Sequence, residues 1–231
     1  MKISRWLLPL CLTFTSCDTP KGGVTRAECL AIAESYRTHR WMPAAQNVLH
    51  GADADGIRVD TPDVSYHPPG AVPGWWRSGE WNTGVPYQWG GFATPEQFDS
   101  DLSAGKAAGD VYTSEKRRLL DAAVSRHATG IDCSGFISRC WRLPRACSTR
   151  ELQSLCTPLA TWDELQPGDI LNTWNAHVYL FAGWENTERT GFTAYDTGSP
   201  PNWRVVRQSV NAAELKAKGF TPWRYRALRD R

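Results

Sequence analysis

Gly130–Ile131–Asp132–Cys133–Ser134–Gly135–Phe136–Ile137 is the stretch from which both fold and chemistry follow. Asp132 is a good helix N-cap, and Phe136, Ile137, Cys140 and Trp141 recur as an apolar stripe at helical spacing. Cys133 then occupies the first helical position. Unpaired backbone N–H groups and the positive end of the helix dipole favour thiolate over thiol there. The neighbouring charge of Asp132 works the other way, so the thiol needs a base.

Downstream, His177 opens the strand-like run His177–Val178–Tyr179–Leu180–Phe181–Ala182. A strand holds an imidazole more rigidly than a loop can. His39, His50, His67 and His127 sit at helix ends or in loops and are weaker candidates. Beyond residue 160 the texture is strand-rich: Ile170–Asn172, His177–Trp184, Phe192–Asp196, Trp203–Val206 and Thr221–Leu228, with a short helix bounded by Asn211 and Gly219. Upstream, capping boxes at Thr25/Glu28 and Thr94/Gln97 open helices, and Ser114–His127 reads as a third, with Leu119, Leu120, Ala123 and Val124 on one side. Residues 42–85, rich in Pro, Gly, Asp and Trp, read as loops. Helices first and an antiparallel meander afterwards is an α+β pattern.

Asp132–Cys133–Ser134–Gly135–Phe136 resembles the nucleophile motif of the NlpC family of papain-like cell-wall cysteine peptidases. Pro86–Tyr87–Gln88–Trp89–Gly90–Gly91 resembles the tyrosine motif that precedes it, and Leu165–Gln166–Pro167–Gly168–Asp169–Ile170 with His177–Val178 resembles the histidine motif. The three stand in the family's order across residues 86–196. The resemblance implies a papain-like fold, with the nucleophile helix packed on an antiparallel sheet. It also implies hydrolysis of peptidoglycan stem peptides at a D-γ-glutamyl–diaminopimelate type of bond, with no metal or cofactor. Cys133 would attack the carbonyl, His177 would shuttle the proton, and a polar residue on the next strand would orient the imidazole. Asp196 fills that place where the family usually has His, Asn or Gln; Glu185 and Asn186 are the alternatives. Tyr87 would lie by the oxyanion, and Asp132 and Ser134 would meet the peptide's free amino end. The plainer readings make Tyr87 a packed aromatic and Asp132 a helix cap. One departure from the family is the span of 42 positions from Gly91 to Cys133, long enough to roof the cleft.

The implied organisation is a signal peptide (1–16), an N-terminal extension (17–85), and a papain-like cysteine peptidase domain (86–231) with a helical insertion (92–130). Residues 1–16 have a basic start (Lys2, Arg5), an apolar run and small residues before Cys17. Phe14–Thr15–Ser16–Cys17 resembles a lipoprotein cleavage site, which would lipidate Cys17 and tether the exported protein to a membrane in the cell envelope. No stretch supplies the roughly 20 apolar residues of a membrane-spanning helix. Outside the signal, Lys plus Arg and Asp plus Glu balance at 24 each, which leaves no electrostatic footprint for nucleic acid.

Setting aside Cys11, Cys17 and Cys133 leaves Cys29, Cys140, Cys147 and Cys156, which allow three pairings. Proximity suggests Cys147 with Cys156 or Cys140; buried thiols are the alternative. The spacings suit zinc poorly. Trp75, Trp76, Trp81 and Trp89 could form a glycan platform, or serve as core and loop anchors. The rival functions are a catalytically idle binder of cell-wall fragments and an amidase of related fold.

Overall fold

The computed structural model describes residues 23–70, 73–198 and 203–230. The signal segment and Cys17 lie outside them. Among the described residues no helix is long and apolar enough to cross a membrane.

Six strands form one antiparallel sheet: β1 (Cys156–Pro158), β2 (Ile170–Asn172), β3 (Val178–Trp184), β4 (Gly191–Asp196), β5 (Val206–Asn211) and β6 (Thr221–Tyr225). Their spatial order is β5-β4-β3-β2-β6-β1. Strand alternation divides the side chains between two faces. Val178, Leu180 and Tyr195 point into the main core, whereas Phe181, Phe192 and Ala194 point to the other face. There Leu215 and Ala212 of α6 (Ala212–Ala217) complete a second cluster.

Helix α4 (Cys133–Cys140) packs on the main-core side of this sheet. Its apolar stripe meets α1 (Arg26–Thr38), whose Cys29, Ala33 and Tyr36 are buried in the same cluster. Tyr36 sets its ring edge-on to Phe136 at 5.7 Å. The 17–85 segment therefore contributes to the core that supports α4. Arg26 and Arg224 both pair with the fully buried Asp169, which ties α1 and β6 to the Pro167–Gly168–Asp169 turn. The α+β class read from the sequence is the observed one, with helices α2 (Pro95–Ser103), α3 (Ser114–Leu119) and α5 (Thr149–Ser154) completing the set.

Three expectations change. The helix expected over 114–127 stops at Leu119, because Leu120 adopts φ 53° and a short 3-10 turn follows. That turn buries Ala123 but leaves Leu119 and Leu120 exposed. The strand expected at Trp203–Val206 runs instead over Val206–Asn211. Trp203 is drawn off to pack with Tyr87 and Val111, and residues 203 and 205 pair with 87 and 85 (Tyr87 N to Trp203 O 2.9 Å, Val205 N to Val85 O 3.0 Å). The tryptophan platform does not form. Trp76 is fully buried, Trp75 stands edge-on to Trp41, and Trp81 lies under Arg40.

Candidate active site

Asp132 caps α4 as expected, with its carboxylate accepting from the Gly135 N–H at 2.5 Å and from the Ser134 hydroxyl at 3.1 Å. Cys133 is thereby fixed at the first helical position, half-buried. The tyrosine motif holds this helix tip from beneath: Ile131 N donates to Pro86 O and Asp132 N to Gly91 O, both at 3.1 Å. The approach is so close that a Cβ on Gly135 would lie 2.2 Å from the Gly91 carbonyl oxygen.

His177 stands at the entry to β3, where Thr173 closes the β2–β3 turn around it. The Thr173 hydroxyl accepts from His177 N and donates to His177 O, each at 3.1 Å. Asn175, at the tip of this turn, takes the left-handed conformation (φ 55°) that Asn tolerates better than most residues. The rings of Tyr179 and Phe220 stand edge-on to the imidazole.

The Cys133 thiol and the His177 imidazole lie side by side in the lining of one cleft, close enough for the sulfur to act on the ring electrostatically. Nε2 of His177 lies 2.7 Å from Oδ1 of Asp196. Asp196 is inaccessible to solvent and receives a second hydrogen bond, to Oδ2, from Gln208 of β5 at 3.1 Å. Burial is the largest influence on His177 and disfavours the imidazolium, but the carboxylate of Asp196 and then the sulfur of Cys133 outweigh it. The imidazole pKa is held well above its ordinary value. Glu185 and Asn186 are engaged elsewhere, Glu185 by Thr193 and Ser209 and Asn186 by Thr190. Asp196 is therefore the residue that meets the ring.

The pair opens into a cleft of about 400 Å3. Tyr87, Asp132 and Ser134 line it beside Cys133 and His177, so the sequence-derived candidates other than Asp196, which lies behind the imidazole, share one wall system. Burial raises the Asp132 carboxyl despite the N–H groups of Gly135, Ser134 and Gly90 that it accepts from. Tyr87 is also pushed upward, by burial first and then by the nearby Cys133 and Asp132. Its ring rests on Gly198, where φ is +88° and a Cβ would come within 2.4 Å of the ring. Glycine is required there on both counts.

The 92–130 insertion forms much of the opposite lining through Tyr112, Arg117, Leu120, Asp121 and Val124. It is stitched to the tyrosine motif. The Gln88 amide donates to the carbonyls of Ser125 (3.0 Å) and Ala128 (3.3 Å), and the Trp89 indole donates to Leu120 O at 3.2 Å. Thr173, Gln208 and Gly198 carried no sequence signal of their own. Ser148–Arg150 at the start of α5, which also line the cleft, did carry one: Ser148 and Glu151 form a capping box.

None of Cys29, Cys133, Cys140, Cys147 and Cys156 forms a disulfide. The neighbour of Cys140 is Cys29, across the α1–α4 contact, rather than Cys147, and burial drives the Cys140 thiol pKa far up. Asp53, Asp55 and His127 bring three possible metal-ligand atoms within 4.8 Å of one another, outside the cleft lining. They are engaged with Ser125 and Arg126 and with each other. Comparison with protein-family models, curated proteins and solved structures found no match for this chain.

Proposed function

We propose that the chain is a papain-like cysteine peptidase that hydrolyses peptidoglycan stem peptides. The observation that carries this reading is the half-buried Cys133 beside an imidazole that Asp196 orients and whose pKa it raises, at the wall of an open cleft. A structural histidine has no need of a buried carboxylate on its ring nitrogen and a thiol beside it in a cleft. Perturbed ionisable groups converging in a cleft are characteristic of catalysis. The three motifs in their order give the substrate class, and the signal-like start with Cys17 gives an exported, lipid-anchored location.

In this mechanism the Cys133 sulfur, having passed its proton to His177, adds to the scissile carbonyl. The first-turn N–H of Cys133, one of the donors a helix start leaves unpaired, steadies the developing oxyanion beside Tyr87. The tetrahedral adduct collapses as His177 returns the proton to the leaving amine, and a thioester remains. Water, deprotonated by His177, then breaks the carbon–sulfur bond and releases the acid and the thiol. Asp196 stabilises the imidazolium at each stage, and Gln208 holds Asp196. Asp132, which accepts from neutral donors and has no ion-pair partner among the described residues, suits the ammonium end of a short peptide.

The test is incubation of the mature protein with purified muropeptides and mass analysis of the products. New peptide fragments with the native protein, and none with Cys133→Ala, are expected. Intact muropeptides bound by the native protein would instead support the idle binder, and cleavage between sugar and peptide would support the amidase.

A further inference from the structure

Buried carboxylates elsewhere in the described residues have basic side chains as partners: Asp63 meets the His50 imidazole, Asp110 pairs with Lys116, and Asp169 with Arg26 and Arg224. The cleft is different. Arg117, half-buried on α3 of the insertion, and Arg150, exposed on α5, both line it, yet neither has a carboxylate partner among the described residues. Arg118, their neighbour in sequence, does find one in Glu115 and points outside the cleft. Asp132 lines the same space and likewise has no ion-pair partner among the described residues. The cleft thus presents unpaired charge of both signs around one nucleophile.

We infer that Arg117 and Arg150 bind a free carboxylate on the residue that supplies the scissile carbonyl, while Asp132 takes the amino end. This rests on the peptidase reading above and refines its substrate. A γ-glutamyl linkage spends the side-chain carboxyl on the peptide bond and leaves the α-carboxylate free, a few bonds from the carbonyl that Cys133 attacks. A planar guanidinium suits such a carboxylate. The insertion, which supplies Arg117, is therefore a specificity element that discriminates glutamate from its α-carboxamide form.

Two synthetic peptides test this: L-alanyl-γ-D-glutamyl-diaminopimelate, and the same peptide with the glutamate α-carboxylate converted to a carboxamide. The native protein is expected to favour the carboxylate form by at least about tenfold in kcat/KM, the effect of one charge-assisted hydrogen bond. The preference should reside mostly in KM and shrink with added salt. Arg117→Gln and Arg150→Gln should each bring the ratio towards one, Arg117→Lys should restore part of it, and Arg118→Gln should keep the native ratio. Equal cleavage of both peptides by the native protein, or a native ratio in both glutamine variants, would overturn the inference and leave the peptidase reading standing. Cleavage of neither peptide would overturn both.

Discussion

Replacing Asp196 with Asn keeps the shape of the side chain and removes the charge that holds His177 protonated. At 2.7 Å, an ion pair in an effective dielectric of about 20 is worth about 6 kcal/mol. Charge delocalised over both groups, and the 21% exposure of the imidazole, reduce this to about 3 kcal/mol. At about 1.36 kcal/mol per pH unit, the imidazole pKa should fall by about 2 units in Asp196→Asn. The sign follows from linkage. A histidine raised above its unfolded value gains stability that is complete below that value and is lost as the pH climbs through the folded one. Asp196→Asn should therefore destabilise the protein most in mildly acidic solution and least at alkaline pH. Carbon-edited NMR titration of the five histidine ring signals, assigned by substitution, reads the shift directly. The alkaline limb of kcat/KM should move towards acid by the same amount. An unmoved His177 titration in a folded Asp196→Asn protein would refute the assigned electrostatics.

Iodoacetamide on the folded protein should label Cys133 first, because Cys29, Cys140, Cys147 and Cys156 are each at most 4% exposed; peptide mapping that finds another site modified as fast would contradict this. Gly198→Ala should lower kcat/KM at least about tenfold in steady-state assays, since it imposes a left-handed strain of about 1–2 kcal/mol and drives a methyl into the Tyr87 ring. Burial pushes the Asp110 carboxyl up to about 6 against the pull of Lys116, so its ionisation costs stability as the pH rises from the unfolded value of 3.8 through about 6. Lys116→Met, which strands that carboxylate, should cost about 3–5 kcal/mol in denaturant titrations at neutral pH and distinctly less near pH 5, where the carboxyl takes up a proton. An equal loss at both pH values would contradict the assignment.

Local signals in the sequence were strong wherever one residue type does one job. The capping residues Thr25, Thr94 and Asp132 mark the starts of α1, α2 and α4 within a residue, because an N-cap is decided by chain neighbours alone. Cys133 and His177 were legible for a related reason, since each lies at the start of a regular element whose period is visible, whereas Asp196 followed from the resemblance alone, with Glu185 and Asn186 left open. What could not be read depends on contacts distant in sequence. Leu120 breaks its helix where the Trp89 indole meets the Leu120 carbonyl, 31 residues away. Trp203 leaves the sheet because Tyr87 offers it an aromatic partner at 5.7 Å. Gln208 finds Asp196 only through the register that sets β5 beside β4. Tryptophans adjacent in sequence gave no hint that Trp76 is core while Trp81 is surface. Cys29 likewise comes to lie beside Cys140 through the α1–α4 packing, a neighbourhood that their spacing in sequence does not show, and no disulfide joins them.

The central claim is that the Cys133 sulfur becomes bonded to the substrate's acyl group. Rapid acid quench of the native protein mixed with L-alanyl-γ-D-glutamyl-diaminopimelate, followed by digestion and mass mapping, tests it directly. The account predicts a transient L-alanyl-γ-D-glutamyl adduct on the Cys133 peptide, formed before free product and absent from Cys133→Ala. Product released without any adduct on Cys133, or an equal yield from Cys133→Ala, would contradict it.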